Sequence, residues 1–230
     1  MLRPAAVLYC ILAAPGAMAG AWPREGGTAF LSLSGLFSAS STDILAPDLG
    51  LTSYSTAFAE YGLTDMWTIG ADIAYGQGSD EALYTGLVFL RRPFWRGERD
   101  IFAAELGLGA QAETDDAPQA RLRPGLSWGR GYEIAWGQGW MGIESSLEWR
   151  LPSNELVVKA DATLGLRPSE NWMLIGQLQT GHYPGSGLIV KFAPSIVRQI
   201  GERSHLQLGL SLGLAGDEGV GVKVATWFSF

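Results

Sequence analysis

The sequence predicts an all-β fold, a transmembrane antiparallel up-and-down β-barrel of about 12 strands with both termini on one side of the membrane. Three observations predict this fold. Apolar residues recur at every second position, the alternating segments have the length of tilted membrane strands, and short turns rich in Gly, Pro, Asn and Asp separate them. The length of 230 residues suits a single domain of this kind.

Residues 1–19 have the composition of a Sec signal peptide. Arg3 supplies a positive charge, an apolar stretch follows, and residues 17–19 read Ala-Met-Ala, a small-x-small cleavage site. The apolar stretch is too short to cross a bilayer as a helix, and we expect the mature chain to begin near Gly20. The predicted division is a signal peptide at 1–19, an N-terminal periplasmic segment at 20–27 and an outer-membrane barrel at 28–230.

Composition excludes several classes of protein. Cys10 is the only cysteine and follows Tyr9, where a lipidation site would have a small residue, so we interpret it as part of the signal peptide. The mature chain would then have neither a disulfide scaffold nor a thiolate metal site. A formal net charge of −7 argues against a nucleic-acid partner. We predict no cofactor and no metal.

Twelve segments of the chain have the alternation expected of strands. Turn sequences such as Pro152-Ser153-Asn154 lie between them. The predicted strands are 28–38, 51–62, 67–76, 82–91, 101–111, 119–128, 139–150, 155–166, 172–182, 187–198, 205–214 and 219–230.

The alternation also predicts which side chains face lipid. In the sixth strand Leu122 and Leu126 share one face, while Arg121 and Arg123 share the other. The eleventh strand has leucine at every second position from 206 to 214. Such faces suit a barrel with an apolar outside and a polar lumen, whereas the outer face of a soluble sheet would carry more charge. The second and fourth strands do not indicate which face is inward.

The last strand combines alternation with a terminal aromatic residue. It resembles the C-terminal strand of Gram-negative outer-membrane β-barrels, with Val222, Val224, Phe228 and Phe230 as the barrel-assembly signal. The resemblance implies location in the outer membrane, contact with its lipid and lipopolysaccharide, and recognition by the barrel-assembly machinery. The alternative for this strand alone is the edge of a soluble sheet.

With both ends periplasmic, the longest external loop would be 39–50, and the connections 92–100 and 129–138 would be long periplasmic loops. Aromatic residues then concentrate at both rims, as membrane interfaces favour. The periplasmic group is Trp67, Phe102, Trp128, Trp172, Phe228 and Phe230, and the outer group is Tyr54, Tyr75, Tyr84, Trp149 and Tyr183.

The predicted lumen is strongly charged and mixes both signs. One interpretation is a narrow passive channel, porin-like, whose basic wall orients small polar or anionic solutes. The other is a non-conducting structural or adhesion-type barrel filled by ion pairs, such as Glu105 with Arg121 or Arg123 and Lys159 with Glu144 or Glu148. The candidate lumen-lining residues are Asp72, Glu105, Arg121, Arg123, Glu144, Glu148, Arg150, Lys159, Asp161, Lys191 and Lys223.

Enzymatic activity is not predicted, because His182 and His205 fall at opposite ends of the barrel and cannot share a site. A soluble periplasmic β protein is a third alternative. The stretch from Phe58 to Asp72 resembles the strand, turn and strand unit of uncharacterised transporter-like barrels, which implies uptake of a small solute. The sequence does not indicate which solute, nor the oligomeric state.

Overall fold

Twelve antiparallel strands form a closed barrel in the computed structural model, which describes residues 20–40, 51–78, 82–114 and 116–230. The predicted fold class and strand number are confirmed. The predicted signal peptide and most of the 39–50 loop lie outside the described residues. The strands are β1 (Ala29–Ser40), β2 (Thr52–Gly62), β3 (Thr68–Gln77), β4 (Ala82–Arg96), β5 (Asp100–Glu113), β6 (Gln119–Ile134), β7 (Gly137–Leu151), β8 (Glu155–Ser169), β9 (Trp172–Tyr183), β10 (Gly187–Gly201), β11 (Ser204–Ala215) and β12 (Gly219–Ser229).

Each strand pairs with its neighbours in sequence, and β1 pairs with β12 to close the ring. At the seam Ala29 and Phe230 exchange backbone hydrogen bonds of 3.1 and 3.0 Å. Closure leaves no unpaired strand edge, the condition for a sheet to cross a bilayer. We call the end of the barrel where β1 begins and β12 ends the terminal rim, and the opposite end the loop rim.

The two long connections predicted at 92–100 and 129–138 are mostly strand. Arg96 pairs with Ile101 and Ile134 pairs with Gly137, so tight turns at 97–99 and 135–136 join the strands. The register shifts near Pro93, which has no N–H to donate to the ladder. Loops were expected here because the charged residues in these extensions interrupt the apolar alternation.

The outer face of the barrel is apolar, as the alternation predicts. Leu208, Leu210 and Leu214 of β11 are all exposed, and so are Val222 and Val224 of β12. In a membrane these side chains would contact lipid. The described residues include no helix long and apolar enough to cross a membrane.

The outer aromatic group is divided between the two faces. Tyr75 and Tyr84 face outward as a register pair, with ring centroids 5.0 Å apart. Tyr183 faces the lumen instead, where the Lys159 ammonium lies 5.6 Å from its ring centroid. Tyr54 also faces the lumen, since it lies on the same face of β2 as the buried Glu60.

Candidate functional site in the barrel lumen

The chain preceding β1 enters the lumen at the terminal rim. Ala21 is buried against two apolar residues of β5, and Trp22 packs over Gly129 on β6 and Gly142 on β7. A Cβ added at Gly129 would lie 2.4 Å from the Trp22 ring, so this glycine provides space for the indole. These contacts place the start of the segment against the β5–β7 wall.

Arg24 connects the same segment to the wall formed by β2 and β3. Its backbone N–H donates to Thr68 Oγ1 at 2.9 Å, and its Nε donates to Glu60 Oε2 at 2.8 Å. The guanidinium lies 4.5 Å from the Phe30 ring centroid. Within the expected N-terminal segment 20–27, residues 20–24 lie inside the barrel, and residues 25–27 are exposed.

An apolar layer lies beside this segment. Phe30 on β1 and Trp140 on β7 come from opposite sides of the twelve-strand ring and belong to one buried cluster, so the layer spans the lumen. Trp22 packs against it and links it to the segment. The buried members are Phe30, Trp140, Met173, Val197, Ala225 and Trp227.

An ion network follows further into the barrel. Glu60 accepts from Arg24 and, through Oε1, from Arg91 Nη1 at 2.6 Å. Arg91 Nη2 also donates to Glu105 at 2.9 Å, and Arg123 Nη2 donates to the other oxygen of Glu105 at 2.9 Å. Because these residues come from the N-terminal segment, β2, β4, β5 and β6, the network ties separate strands together through the lumen.

A second group of ion pairs lies between β6 and β7. Glu148 accepts from Arg121, and its other oxygen accepts from Arg150 Nε at 3.0 Å. Arg150 is also 3.8 Å from Glu155. All three arginines of the predicted basic wall, Arg121, Arg123 and Arg150, are thus neutralised by carboxylates.

The predicted pairings are found in part. Arg123, one of the two predicted partners, pairs with Glu105 and is also 3.8 Å from Asp72. Lys159 forms no ion pair with Glu144 or Glu148. Asp161 accepts a hydrogen bond from the Thr180 backbone N–H at 3.2 Å.

Sequence reasoning missed Glu60 and Arg91, which are central to the network. Glu60 lies on β2 and Arg91 on β4, the two strands whose inward face the alternation did not indicate. Phe58 and Phe89 face inward there and stack with ring centroids 5.8 Å apart, so the lumen side of these strands is partly apolar. The signal that could have identified Glu60 as an inward-facing residue is that it is the one charged residue of β2.

Three lysines line the lumen toward the loop rim. Lys159, Lys191 and Lys223 are each the fifth residue of their strand counted from that rim, and they belong to the alternate strands β8, β10 and β12. Lys191 donates to Asp217 at 2.5 Å. Among the described residues, Lys159 and Lys223 have no carboxylate within 4.0 Å. These two side chains therefore place ammonium groups without an ion pair to a described residue in this part of the lumen.

A cavity of about 360 Å³ opens near this end. Its lining is polar and includes Ser38, Thr52, Lys191, Ser211, Asp217 and Glu218. Gln177, Gln179 and Gln207 add amide groups to neighbouring parts of the wall, where Gln179 donates to Gln177 at 2.7 Å. The barrel interior is thus polar toward the loop rim, where Arg121, Arg150 and Lys191 are ion-paired, and its apolar layer lies toward the terminal rim.

The remaining sequence-predicted residues lie elsewhere. Phe230 is exposed at the terminal rim, and Phe228 faces outward beside it on β12. His182 is exposed on the outer face of β9, whereas His205 lies inside, 6.3 Å from the Trp227 ring centroid. The described residues hold no group of three or more His, Cys, Asp or Glu side chains that could bind a metal.

The sequence matches no protein-family model and no curated protein. Solved structures are similar in fold. The KdgM porin in complex with disordered oligogalacturonate has 8% identity and a TM-score of 0.57, covering 86% of this chain and 99% of that one. The NanC porin has 10% identity and a TM-score of 0.60, and the match covers 86% of this chain and 98% of that one. An outer-membrane channel from Pseudomonas putida F1 has 12% identity and a TM-score of 0.61, and the match covers 91% of this chain and 98% of that one.

The closed ring, the apolar outer face and these similarities define the class: the chain has the fold of outer-membrane β-barrel proteins. At these identities the similarity concerns the fold, and what the barrel does depends on its own lumen.

Proposed function

We propose that this protein is an outer-membrane channel for small polar or anionic solutes, closed in the present conformation. In this proposal residues 1–19 direct export, and the terminal rim faces the periplasm. One observation carries it: the lumen is polar and holds the ammonium groups of Lys159 and Lys223 toward the loop rim, while a chain segment that is not part of the wall occupies it at the terminal rim.

The lysines support an anionic solute. Lys159 and Lys223 are half-buried and have no carboxylate within ion-pair distance among the described residues. Ammonium groups inside a pore attract anions and repel cations, because the surrounding wall focuses their field. The KdgM porin, which shares the fold, was solved with oligogalacturonate, a molecule that carries carboxylates.

Closure depends on residues 20–24 and the apolar layer that Trp22 contacts. Opening would require this segment to leave the lumen, and Gly129 and Gly131 allow a matched test of that step. Both face inward on β6, but a Cβ at Gly129 meets the Trp22 ring, whereas a Cβ at Gly131 meets nothing within 4 Å. Gly129→Ala should therefore displace Trp22, and Gly131→Ala should not.

The test is single-channel recording after the chain from residue 20 is refolded in detergent and added to a planar bilayer. We expect rare openings for the wild type and Gly131→Ala. For Gly129→Ala we expect about a tenfold longer open time, which corresponds to about 1.4 kcal/mol. A chain lacking residues 20–24 should open more often than the wild type, because it loses the segment and the contact of Trp22 with the apolar layer. The combined Lys159→Gln and Lys223→Gln variant should lose anion preference in salt gradients.

The second candidate is a non-conducting structural barrel, favoured by the apolar layer that spans the lumen. It predicts that all of these variants insert into the bilayer and none of them conducts. Silence of the chain lacking residues 20–24, in samples whose folded state is verified, would exclude the channel and leave this candidate.

A further inference from the structure

Gly20 lies against a lumen carboxylate that has no cation. Gly20 is buried, and a Cβ built on it would be 2.6 Å from Glu144 Oε1 and 2.9 Å from Glu144 Cδ. The Gly20 nitrogen is bonded to the same Cα, so it belongs to the residue that faces the carboxylate, and no hydrogen bond joins the two in this structure. Glu144 faces the lumen from β7, on the far wall from the Arg24–Glu60 contact.

The surroundings of Glu144 are acidic. Its register partner on β8 is Asp161, and Glu105, Glu60 and the Arg91 guanidinium also act on it electrostatically. Arg91 is already paired with Glu60 and Glu105. No hydrogen bond or ion pair joins Glu144 to another residue in the described part of the chain. Glu144 is half-buried, and a cation that approached it would stabilise its charge.

Cleavage after Ala19 would create such a cation. Hydrolysis of the Ala19–Gly20 peptide bond breaks its C–N bond. Water supplies the oxygen of the new Ala19 carboxylate, and the Gly20 nitrogen becomes an ammonium. Before cleavage this nitrogen is a neutral amide with one N–H, whereas afterwards it has three donors and a positive charge near neutral pH.

We propose that the α-ammonium of Gly20, formed when residues 1–19 are removed, binds Glu144 inside the barrel and fastens residues 20–24 as a plug. The inference rests on the proposed export and cleavage, and it specifies how the closed state of the proposed channel is held. Glu60 and Thr68 then hold Arg24 at one side of the lumen, and Glu144 holds Gly20 at the other.

Glycine suits the first position of such a plug. Gly20 has φ +90°, in the region that glycine adopts readily, and any side chain would collide with the carboxylate that the ammonium has to reach. Gly20→Ala should therefore weaken the contact by pushing the carboxylate aside.

The test measures how fast the α-amine reacts with an amine-acylating reagent near neutral pH. The full chain is expressed and purified from membranes, its first residue is determined by intact mass and N-terminal sequencing, and acylation is quantified by peptide mass spectrometry. Only the folded band from unheated gels is analysed. We expect Gly20 to be the first residue and its amine to react at least about tenfold more slowly in the wild type than in Glu144→Gln. A difference of that size corresponds to about 1.4 kcal/mol.

Glu113→Gln serves as the control, because Glu113 is an exposed carboxylate at the loop-rim end of β5 and should leave the rate unchanged. Equal rates in the wild type and Glu144→Gln would mean that burial alone protects the amine, and would overturn the proposal. A first residue other than Gly20 would also overturn it. The readout does not depend on conduction. A protected amine together with silence of the chain lacking residues 20–24 removes the channel but keeps the plug, and an unprotected amine together with conduction by that chain does the reverse.

Discussion

Glu60 is the residue on which the lumen network depends most, because its two oxygens bind two guanidinium groups that are themselves buried. Its side chain is 0% exposed, and its partners come from the N-terminal segment and from β4. Removing this carboxylate leaves the Arg24 guanidinium without its ion pair and Arg91 with Glu105 alone, which is far more costly than losing a surface ion pair.

Glu60→Gln should lower the free energy of unfolding by about 3–5 kcal/mol, the range for breaking one side of a buried ion pair. Urea titration of the folded barrel in detergent micelles measures this. Glu202→Gln, in an exposed turn, is the control and should change stability little. A loss below about 1 kcal/mol for Glu60→Gln, the range of an exposed pair, would mean that solvent reaches the network.

Asp217 lies in the turn between β11 and β12, and its contact with Lys191 on β10 should make stability depend on pH. The hydrogen bond from Lys191 holds the pKa of Asp217 below its usual value, and the Gly219 backbone N–H acts in the same direction. A lowered pKa in the folded state means that the contribution is complete above the usual aspartate pKa, about 3.9. It is lost as the pH falls through the lower folded value.

The difference in unfolding free energy between the wild type and Asp217→Asn should therefore be constant from neutral pH to about pH 5 and vanish in stronger acid. It should be small, because both side chains are 32% exposed. Denaturant titrations across this pH range measure it. A difference that persists below the folded pKa would show that the asparagine acts through packing.

At the scale of elements, β12 both closes the ring and carries the expected assembly signal. Its backbone is paired with β1 and β11. The aromatic ring of Phe230, which follows β12, is exposed. The N-terminal segment is the opposite kind of element, since it has no strand pairing and is held by side-chain contacts within the lumen.

Phe230→Ala should reduce the amount of folded barrel in the outer membrane several-fold while leaving in vitro refolding nearly unchanged. Phe37→Ala is the matched control, because Phe37 is 54% exposed on β1 and Phe230 is 62% exposed at the end of β12. Quantifying the folded band in membrane fractions compares the two. An equal loss for both variants would indicate lipid packing rather than recognition of the last residue.

At the scale of the whole molecule, the ring of twelve strands and its apolar outer face require a membrane or detergent around them. Every strand is paired on both sides, so the barrel should resist SDS at room temperature and unfold only when heated. An unheated sample should therefore migrate differently from a boiled one on the same gel. Protein that stays soluble without detergent and shows no such shift would contradict the membrane assignment.

The sequence by itself determined the number of strands, their approximate positions and the apolar outer face, whereas the ends of β4 and β6 extend beyond the predicted bounds. These three features follow from local rules, a period of two and turn residues with restricted backbone geometry, which act within a few positions of the chain. The same rules were insufficient at β2 and β4, where Phe58 and Phe89 pack inward and the polar-inside pattern ends.

Only the tertiary structure decided how the lumen is filled. The pair of Arg91 on β4 with Glu60 on β2 joins strands that are not neighbours, and Trp22 reaches β6 and β7 from the start of the described chain. Contacts of this kind depend on where the closed ring places each strand. The periodicity of the sequence does not indicate which distant strands face each other across the lumen. For the same reason the sequence predicted the charges of Lys159 and Lys223, whereas the three-dimensional arrangement of the barrel decided that no described carboxylate lies within ion-pair distance of them.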